Sequence, residues 1–434
     1  MRLSSWGRYP TAESRIHKPR HSDELVTLLQ SHARAEYIPR GMGRSYGDSA
    51  LAADILCTQA CDHFIAFNSE AGLLQCAAGL TLEHLLRAML PQGWFLPVVP
   101  GTCYVSVGGA IASDVHGKNH HLDGSFSEHV ESLRLLLANG DILTCSASTN
   151  TALFHATCGG MGLTGIIIDA TLRLRRVHSS AINQRTLRAR NLDEIFEKIS
   201  AHHSSRYSVA WLDCLAKDAA LGRSLLLLGE HAEDERFAKL QQSTIHVPFA
   251  TPACLLNRYS MRLFNTAYFH KPIDEGRERR IEARNYFFPL DSITHWNRLY
   301  GRRGFLQYQC VIPDDAALVG MRKILTVINK AGKGSFLTVL KKLGPANANL
   351  LAFPLQGYTL AMDFKYEASI FPLLNELDRI VLDHAGRLYL AKDARMSLET
   401  FRSSYPRWED MQRIRAETGA DQVFHSLQSR RLGF

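Results

Sequence analysis

At 434 residues the chain exceeds what a single hydrophobic core usually supports, so it predicts two domains, or one domain interrupted by another. Hydrophobic residues at 46% and charged residues at 21% describe an ordinary globular composition and exclude a disordered, repetitive or fibrous chain. The net charge of +8 suits an anionic partner such as a phosphate-bearing substrate or a membrane surface; nucleic acid is not expected, because the basic residues are dispersed and no zinc-finger, homeodomain or ribonucleoprotein pattern is present.

No apolar run of signal-peptide length opens the sequence and none later approaches a membrane-spanning length, which predicts a cytoplasmic protein. Nine cysteines, an odd number, fit a reducing compartment better than a disulfide framework, and Cys57 and Cys61 form one lone CxxxC. Ser22 precedes a helical pattern, DELVTLLQSHARA, and Tyr37 to Pro39 is an extended stretch that feeds the glycine-rich RGMGRSYGD. A strand (LLQCAAG) and a helix opened by Thr81 follow. SLRLLLA and DILTCS flank Asn139-Gly140, which predicts a hairpin closed by a tight type I′ turn. From about residue 179 strand-like pieces (YSVAWLD, SLLLLG, GFLQYQCVIP, SFLTVLKKLG, YTLAMDF) alternate with helical ones, as in a second α+β domain, and LYLAKDAR opens a tail of one strand and several helices.

Three glycine clusters fall in the first 165 residues: Gly41-Met42-Gly43, Gly108-Gly109, and Gly159 through Gly165. Such loops let the backbone approach closely and aim several N–H groups at one anion, so together they predict a dinucleotide site. The last cluster spells GxGxxG from Gly160, but a helical segment precedes it and a β-branched strand follows, the reverse of the context a Rossmann fingerprint requires. His116, His120, His121 and His129 form a histidine-rich patch without zinc-ligand spacing, so no metal is expected. Lys392 follows Leu388 and Leu390 at period two, which in a strand puts its ammonium on a leucine-lined face. Desolvation makes that costly unless an anionic group meets it.

RGMGRSYGDSA, PGTCYVSVGGAIASDVHGKNHH, GSFSEHV and GGMGLTGII, in this order, resemble the FAD-binding half of vanillyl-alcohol-oxidase flavoproteins, the PCMH type. Downstream, WNRLYGRRGFLQYQCVIP, LKKLGP, GYTLAMDF and GRLYLAKDARMSLETFRSSYPR resemble the decaprenylphosphoryl-ribose oxidase branch of that family. The resemblance implies an α+β fold: a two-subdomain PCMH-type FAD-binding domain (1–178), an inserted α+β substrate domain built on an antiparallel sheet (179–386), and a tail (387–434) returning to the FAD domain. It implies that Arg40, Gly41, Met42, Gly43, Arg44 and Ser45 cradle the FAD diphosphate. Tyr46, Pro100, Gly101, Thr102, Val105, Gly108, Gly109, Ala112, Ser113, His116, Gly117 and Asn119 would line the cofactor, with Gly162, Gly165 and Ile166, the last on the adenine side, and Tyr389 and Lys392 from the tail. Many relatives attach flavin through a histidine in an RGGGHS-type loop; Arg44 stands there, which implies non-covalent FAD.

The implied reaction oxidises the C2 hydroxyl of a polyprenylphosphoryl ribose, the first step of ribose-to-arabinose epimerisation, and passes the keto sugar to an NADH-dependent reductase. Lys392 and His116 are both candidates for the base, and Lys118, Gln309, Lys341, Thr359 and Ala361 for the substrate face. The family pattern WNICVDF reads YTLAMDF here, so Thr359 replaces an asparagine and Ala361 a cysteine, which bears on the identity of the sugar or lipid. An aldonolactone or free-carbohydrate oxidase of the same family is the alternative. The segment Cys254 to Pro289 interleaves aromatic with basic residues and suits either peripheral contact at the inner membrane face or a plain surface loop.

Overall fold

Alternation of apolar and polar residues in FLQYQCVIP and YTLAMDF sends successive side chains to opposite faces, and these segments become neighbours near one edge of a large sheet. The computed structural model describes residues 1–31, 35–237, 244–252 and 255–434; the end of the first helical pattern (32–34) and Cys254 lie outside them. Eight strands pair antiparallel in the order Glu278–Glu282, Ala181–Ala189, Ser224–His231, Tyr207–Leu212, Thr338–Leu343, Gly357–Lys365, Phe305–Pro313 and Arg387–Leu388. The eighth strand therefore comes from the segment expected to have left this sheet for the tail.

The helices Leu192–Ala201, Asp314–Ala331 and Ile370–Asp383 pack on this sheet. Gly320 allows close approach on the helix side, because a Cβ there would stand 2.6 Å from Ile312 Cδ1. Residues of opposite parity, Gln307, Gln309, Thr359, Ala361, Val339 and Lys341, are left on the other face, where Gln309 pairs with Ala361 and Thr359 with Lys341. Burial of Phe364, Leu360 and Ile312 on the helix side stabilises the layer by roughly 1.5–3 kcal/mol for each side chain.

The N-terminal part holds a three-stranded and a five-stranded sheet beside two-stranded ribbons. Arg15–His17, Asp54–Cys57 and Tyr37–Arg40 form a parallel sheet with Asp54–Cys57 in the middle. Five antiparallel strands follow the order Ile142–Cys145, Val130–Leu136, Ile166–Arg173, Leu73–Ala77, Phe64–Asn68. The Asn139-Gly140 hairpin forms, but not with a type I′ turn: Gly140 takes φ +92° and Asn139 is not in the left-handed region. Gly140 N–H donates to Leu137 O at 3.1 Å and Leu137 N–H to Asp141 O at 2.8 Å, a type I turn followed by a glycine bulge. Asn139 Oδ1 accepts from Asp141 N–H at 3.0 Å, and this local bond favours the right-handed conformation.

The C-terminal helices Leu398–Ser404, Trp408–Glu417, Ala420–Val423 and Leu427–Arg431 fold back on the N-terminal sheets. His425 N–H donates to Tyr37 O at 2.9 Å, Leu427 N–H to Leu51 O at 2.7 Å, and buried Arg415 reaches Leu163 O and Phe424 O. Ala420 and Phe424 share an apolar cluster with Leu25, Leu29, Tyr37, Leu56, Leu136 and Ile166.

Candidate active site

The strand Tyr37–Arg40 ends in the first glycine loop. Gly43 takes φ +61°, a conformation costly for a side chain, and a Cβ there would run into the Arg40 guanidinium. A Cβ on Gly41 would run into Ser106 Oγ, which caps the short helix Val107–Ala112 by accepting from Gly109 N–H. None of the amides from Met42 to Ser45 donates to another described residue, and the buried Ser45 hydroxyl has no partner among them. Donors left open in this way form a cradle for an anion.

That cradle opens into a cavity of about 470 Å³ lying between the N-terminal sheets and the polar face of the large sheet. Its walls bring together Gly41 to Tyr46, Pro100 to Thr102, Val105, Gly108, Gly109, Ala112, Ser113, His116, Gly117, Gly162, Gly165 and Ile166. Lys118, Gln309, Lys341, Thr359, Ala361, Tyr389 and Lys392 line it too.

Two expected cofactor residues do not line it. Arg40 turns away to donate to the carbonyls of Ala50 and Ser4 at 2.9 and 2.8 Å, so it braces the loop from behind. Asn119 is buried, and its amide donates to Pro97 O and Asp123 Oδ2. Lys392 is not in a strand: after Arg387–Leu388 the chain turns, with Lys392 N–H donating to Tyr389 O at 3.0 Å, and the lysine closes a 3-10 turn. The turn still aims its ammonium inward, 3.9 Å from the centre of the Tyr46 ring. Of the four clustered histidines only His116 reaches the cavity; His120 bonds Gly344 N–H and Ser125, His121 the Ser205 carbonyl and His129 the Asp123 carbonyl.

Three ammonium groups converge on this space. Lys118 Nζ donates to the carbonyls of Tyr286 and Phe287 at 2.8 and 2.9 Å, and Lys341 Nζ approaches Gly117 O at 3.4 Å. No carboxylate among the described residues forms an ion pair with any of the three. Burial lowers Lys118 to about 7 with help from Lys341, lowers Lys341 to about 8, and lowers Lys392 to about 7 against the opposing pull of Asp363. Asp363, buried, is itself raised to about 7 although Gln307 and Tyr300 donate to it. An anionic ligand would raise the lysines again. Binding of a phosphorylated ligand is therefore expected to take up protons at about pH 8, where the free amines predominate or compete, and not at about pH 5.5, where all three are already charged. Calorimetry in buffers of different ionisation enthalpy measures the uptake.

The hydrogen bonds around His116 set its tautomer. Thr359 Oγ1 has one proton, which it donates to Cys310 O at 2.8 Å, so it accepts from the Gln309 amide at 3.2 Å. The second hydrogen of that amide goes to His116 Nε2 at 3.0 Å. Nε2 is then an acceptor and the neutral ring carries its proton on Nδ1, which is buried without a partner among the described residues. Burial first, and then Lys341, His120 and Lys392, hold His116 well below the usual histidine range, so the ring is neutral at physiological pH. Phe353 and Tyr389 flank it, with ring centres 5.3 and 5.2 Å away.

Further lining residues were not anticipated from the sequence. Trp6 lies under the Arg44 guanidinium at 4.2 Å, and Asp291 accepts from the amide of Cys103 at 2.9 Å. Val209, Trp211, Leu227, Tyr268, Leu337 and Val339 make one part of the cavity apolar. The aromatic and basic texture around Tyr268, Tyr286 and Phe287 was the available signal for these. Trp211 and Leu227 sit in apolar strands and read as core. No group of three or more His, Cys, Asp or Glu among the described residues is placed to hold a metal ion.

The unpaired amides, the orphaned Ser45 hydroxyl and the cationic wall fit the diphosphate and ring of FAD. A family described as an FAD binding domain matches residues 14–146. Decaprenylphosphoryl-β-D-ribose oxidase of Mycolicibacterium smegmatis is 37% identical over 99% of this chain and 97% of its own length. An uncharacterized protein of Streptomyces coelicolor is 32% identical over 82% of this chain and all of its own. A putative D-arabinono-1,4-lactone oxidase of Neurospora crassa is 31% identical over 40% of this chain and 32% of its own. With its α+β PCMH-type fold and its FAD site, the chain belongs to the decaprenylphosphoryl-ribose oxidase family of FAD-dependent oxidoreductases acting on CH–OH groups.

Proposed function

We propose that this enzyme oxidises the C2 hydroxyl of a polyprenylphosphoryl ribose to the 2-keto sugar, as the first step of ribose-to-arabinose epimerisation. The observation that carries the reading is one cavity with two characters: three lysines without carboxylate partners facing a fixed neutral histidine, and an apolar wall beside them. The lysines suit a phosphate ester and the apolar wall suits the prenyl chain attached to it. FAD, when bound, accepts the hydrogen and electron pair that leave the sugar.

The chain's own residues handle position and proton. Lys118 and Lys341 hold the phosphate, and Gln309 and Thr359 keep the His116 ring in one orientation. His116 orients but does not take the hydroxyl proton, because Nε2 is engaged and Nδ1 already carries hydrogen. Lys392 Nζ, lowered to about 7, offers a free amine at neutral pH and is the base in this reading. Arg44 stands where many relatives carry the flavin-linking histidine, and it supports a non-covalent cofactor; acid precipitation is expected to leave FAD in the supernatant.

Anaerobic mixing with synthetic polyprenylphosphoryl ribose is expected to bleach the flavin absorbance. Bleaching only by free sugars or aldonolactones would replace this reading with that of a free-carbohydrate oxidase. The keto product is labile and calls for an NADH-dependent reductase as partner, in a cytoplasmic setting at the inner membrane face.

A further inference from the structure

The most exposed large apolar side chains are not scattered. Apart from Met1, the four highest exposures belong to Tyr259 and Leu263 (both 73%), Phe249 (70%) and Ile245 (69%), and Leu255 and Phe264 lie beside them in sequence. Single exposed apolar residues are ordinary; a concentration of this kind marks a contact surface.

The helix Arg258–Phe269 explains the geometry. Asn257 caps it by accepting from the amides of Tyr259 and Ser260, and Met261, Asn265 and Phe269 bury its inner face. Tyr259 and Leu263, one turn apart, share the outer face with Arg262 and His270. On its flank Tyr268 packs at a tilt against Trp211, with ring centres 4.6 Å apart, and both line the apolar part of the cavity. Phe264 contacts Phe336, whose neighbour Leu337 also lines it. The exposed apolar face is thus continuous with the wall proposed to hold the prenyl chain.

Its charge is one-sided. Between Glu235 and Asp274 the sequence contains no acidic residue, while Arg258, Arg262 and Lys271 stand on or beside the helix. Among the described residues no helix is long and apolar enough to cross a membrane, so the face is suited to lying on a bilayer and not to spanning it. We propose that the outer face of Arg258–Phe269 docks on an anionic lipid bilayer, with Tyr259 and Leu263 entering the interface and Arg258 and Arg262 meeting the headgroups. This deepens the lipid-linked substrate reading, on which it rests for the direction in which the cavity opens.

The test uses FAD-loaded protein and extruded vesicles, of phosphatidylcholine alone or with phosphatidylglycerol. Cosedimentation is expected with the anionic vesicles and to weaken with salt. Tyr259→Ser/Leu263→Ser and, separately, Arg258→Glu/Arg262→Glu are expected to weaken it by at least about tenfold. Both variants are expected to keep wild-type anaerobic flavin reduction with a short-chain, water-soluble prenylphosphoryl ribose, which reports folding and chemistry separately. Equal binding to neutral vesicles, or unchanged binding in both variants, would overturn the proposal. So would a wild-type dimer in sedimentation that Tyr259→Ser/Leu263→Ser converts to monomer, since a second copy would then cover the face. Vesicle binding without any flavin bleaching would instead count against the substrate reading alone.

Discussion

Lys392→Ala is expected to slow anaerobic flavin reduction by about 10³-fold, within the range that a positioned acid–base group supplies. On the proposed reading the loss should appear in the rate constant at saturating substrate, because Lys118 and Lys341 would still grip the phosphate. The pH profile separates this role from a structural one. A base must be unprotonated, so with Lys392 as the proposed base kcat/KM of the wild type should rise with pH as Lys392 loses its proton near 7. It should fall again as Lys118, near 7, and Lys341, near 8, lose the charges proposed to bind the substrate. A narrow bell between those values is expected for the wild type, and Lys392→Ala should lack its rising limb while retaining FAD. His116→Ala should cost only about tenfold, since in the proposed reading its ring orients without moving a proton. A loss in His116→Ala equal to that in Lys392→Ala would reassign the base.

The parts of this site that were readable beforehand are those where backbone geometry leaves a mark on composition. Gly43 must tolerate φ +61° and Gly41 must admit Ser106, so the loop could not be built from other residues and its motif survives as a signature. Residues whose role depends on distant partners were not readable in the same way. Arginine beside a glycine loop has the chemistry of a phosphate ligand, but the carbonyls of Ser4 and Ala50 claim Arg40, and nothing local announces them. Trp211 and Tyr268 belong to different elements and meet only through folding, so apolar periodicity assigns Trp211 to the core. Lys392 illustrates a right outcome for a wrong local reason: period-two leucines suggested a strand, yet the inward aim comes from a turn closed on the Tyr389 carbonyl. The Asn139-Gly140 pair likewise located the hairpin but not its turn type, because only the glycine needs a positive φ.

Arg431→Ala is expected to destabilise the FAD-loaded protein by about 3–5 kcal/mol, the cost of stripping a buried ion cluster of its cation. Arg431 donates to Asp48 Oδ1 and Oδ2 at 2.7 and 3.1 Å and to Asp393 Oδ2 at 2.8 Å. Asp48 ends the first glycine segment and Asp393 follows Lys392, so one guanidinium near the C-terminus ties the glycine loop and the Lys392 turn together. A Cβ on Gly47 would run into the Asp393 carbonyl, which shows how closely the two segments lie. Burial works to raise both carboxyl groups; Arg431 opposes it, and with the amides of Arg395 and Met396 it leaves Asp393 below its usual range while Asp48 stays raised. Without the cation both folded-state values rise above the unfolded ones, so the variant regains stability as pH falls and its carboxylates take up protons. The gap to wild type, read from denaturant unfolding, should therefore narrow between about pH 8 and pH 5. Removing all three charges together, as Asp48→Asn/Asp393→Asn/Arg431→Met, should cost much less than Arg431→Ala alone, since no uncompensated ion is left behind. If Arg431→Ala unfolds like the wild type at pH 8, the cluster does not hold the tail, and the inward aim of Lys392 must come from the Tyr389 turn alone.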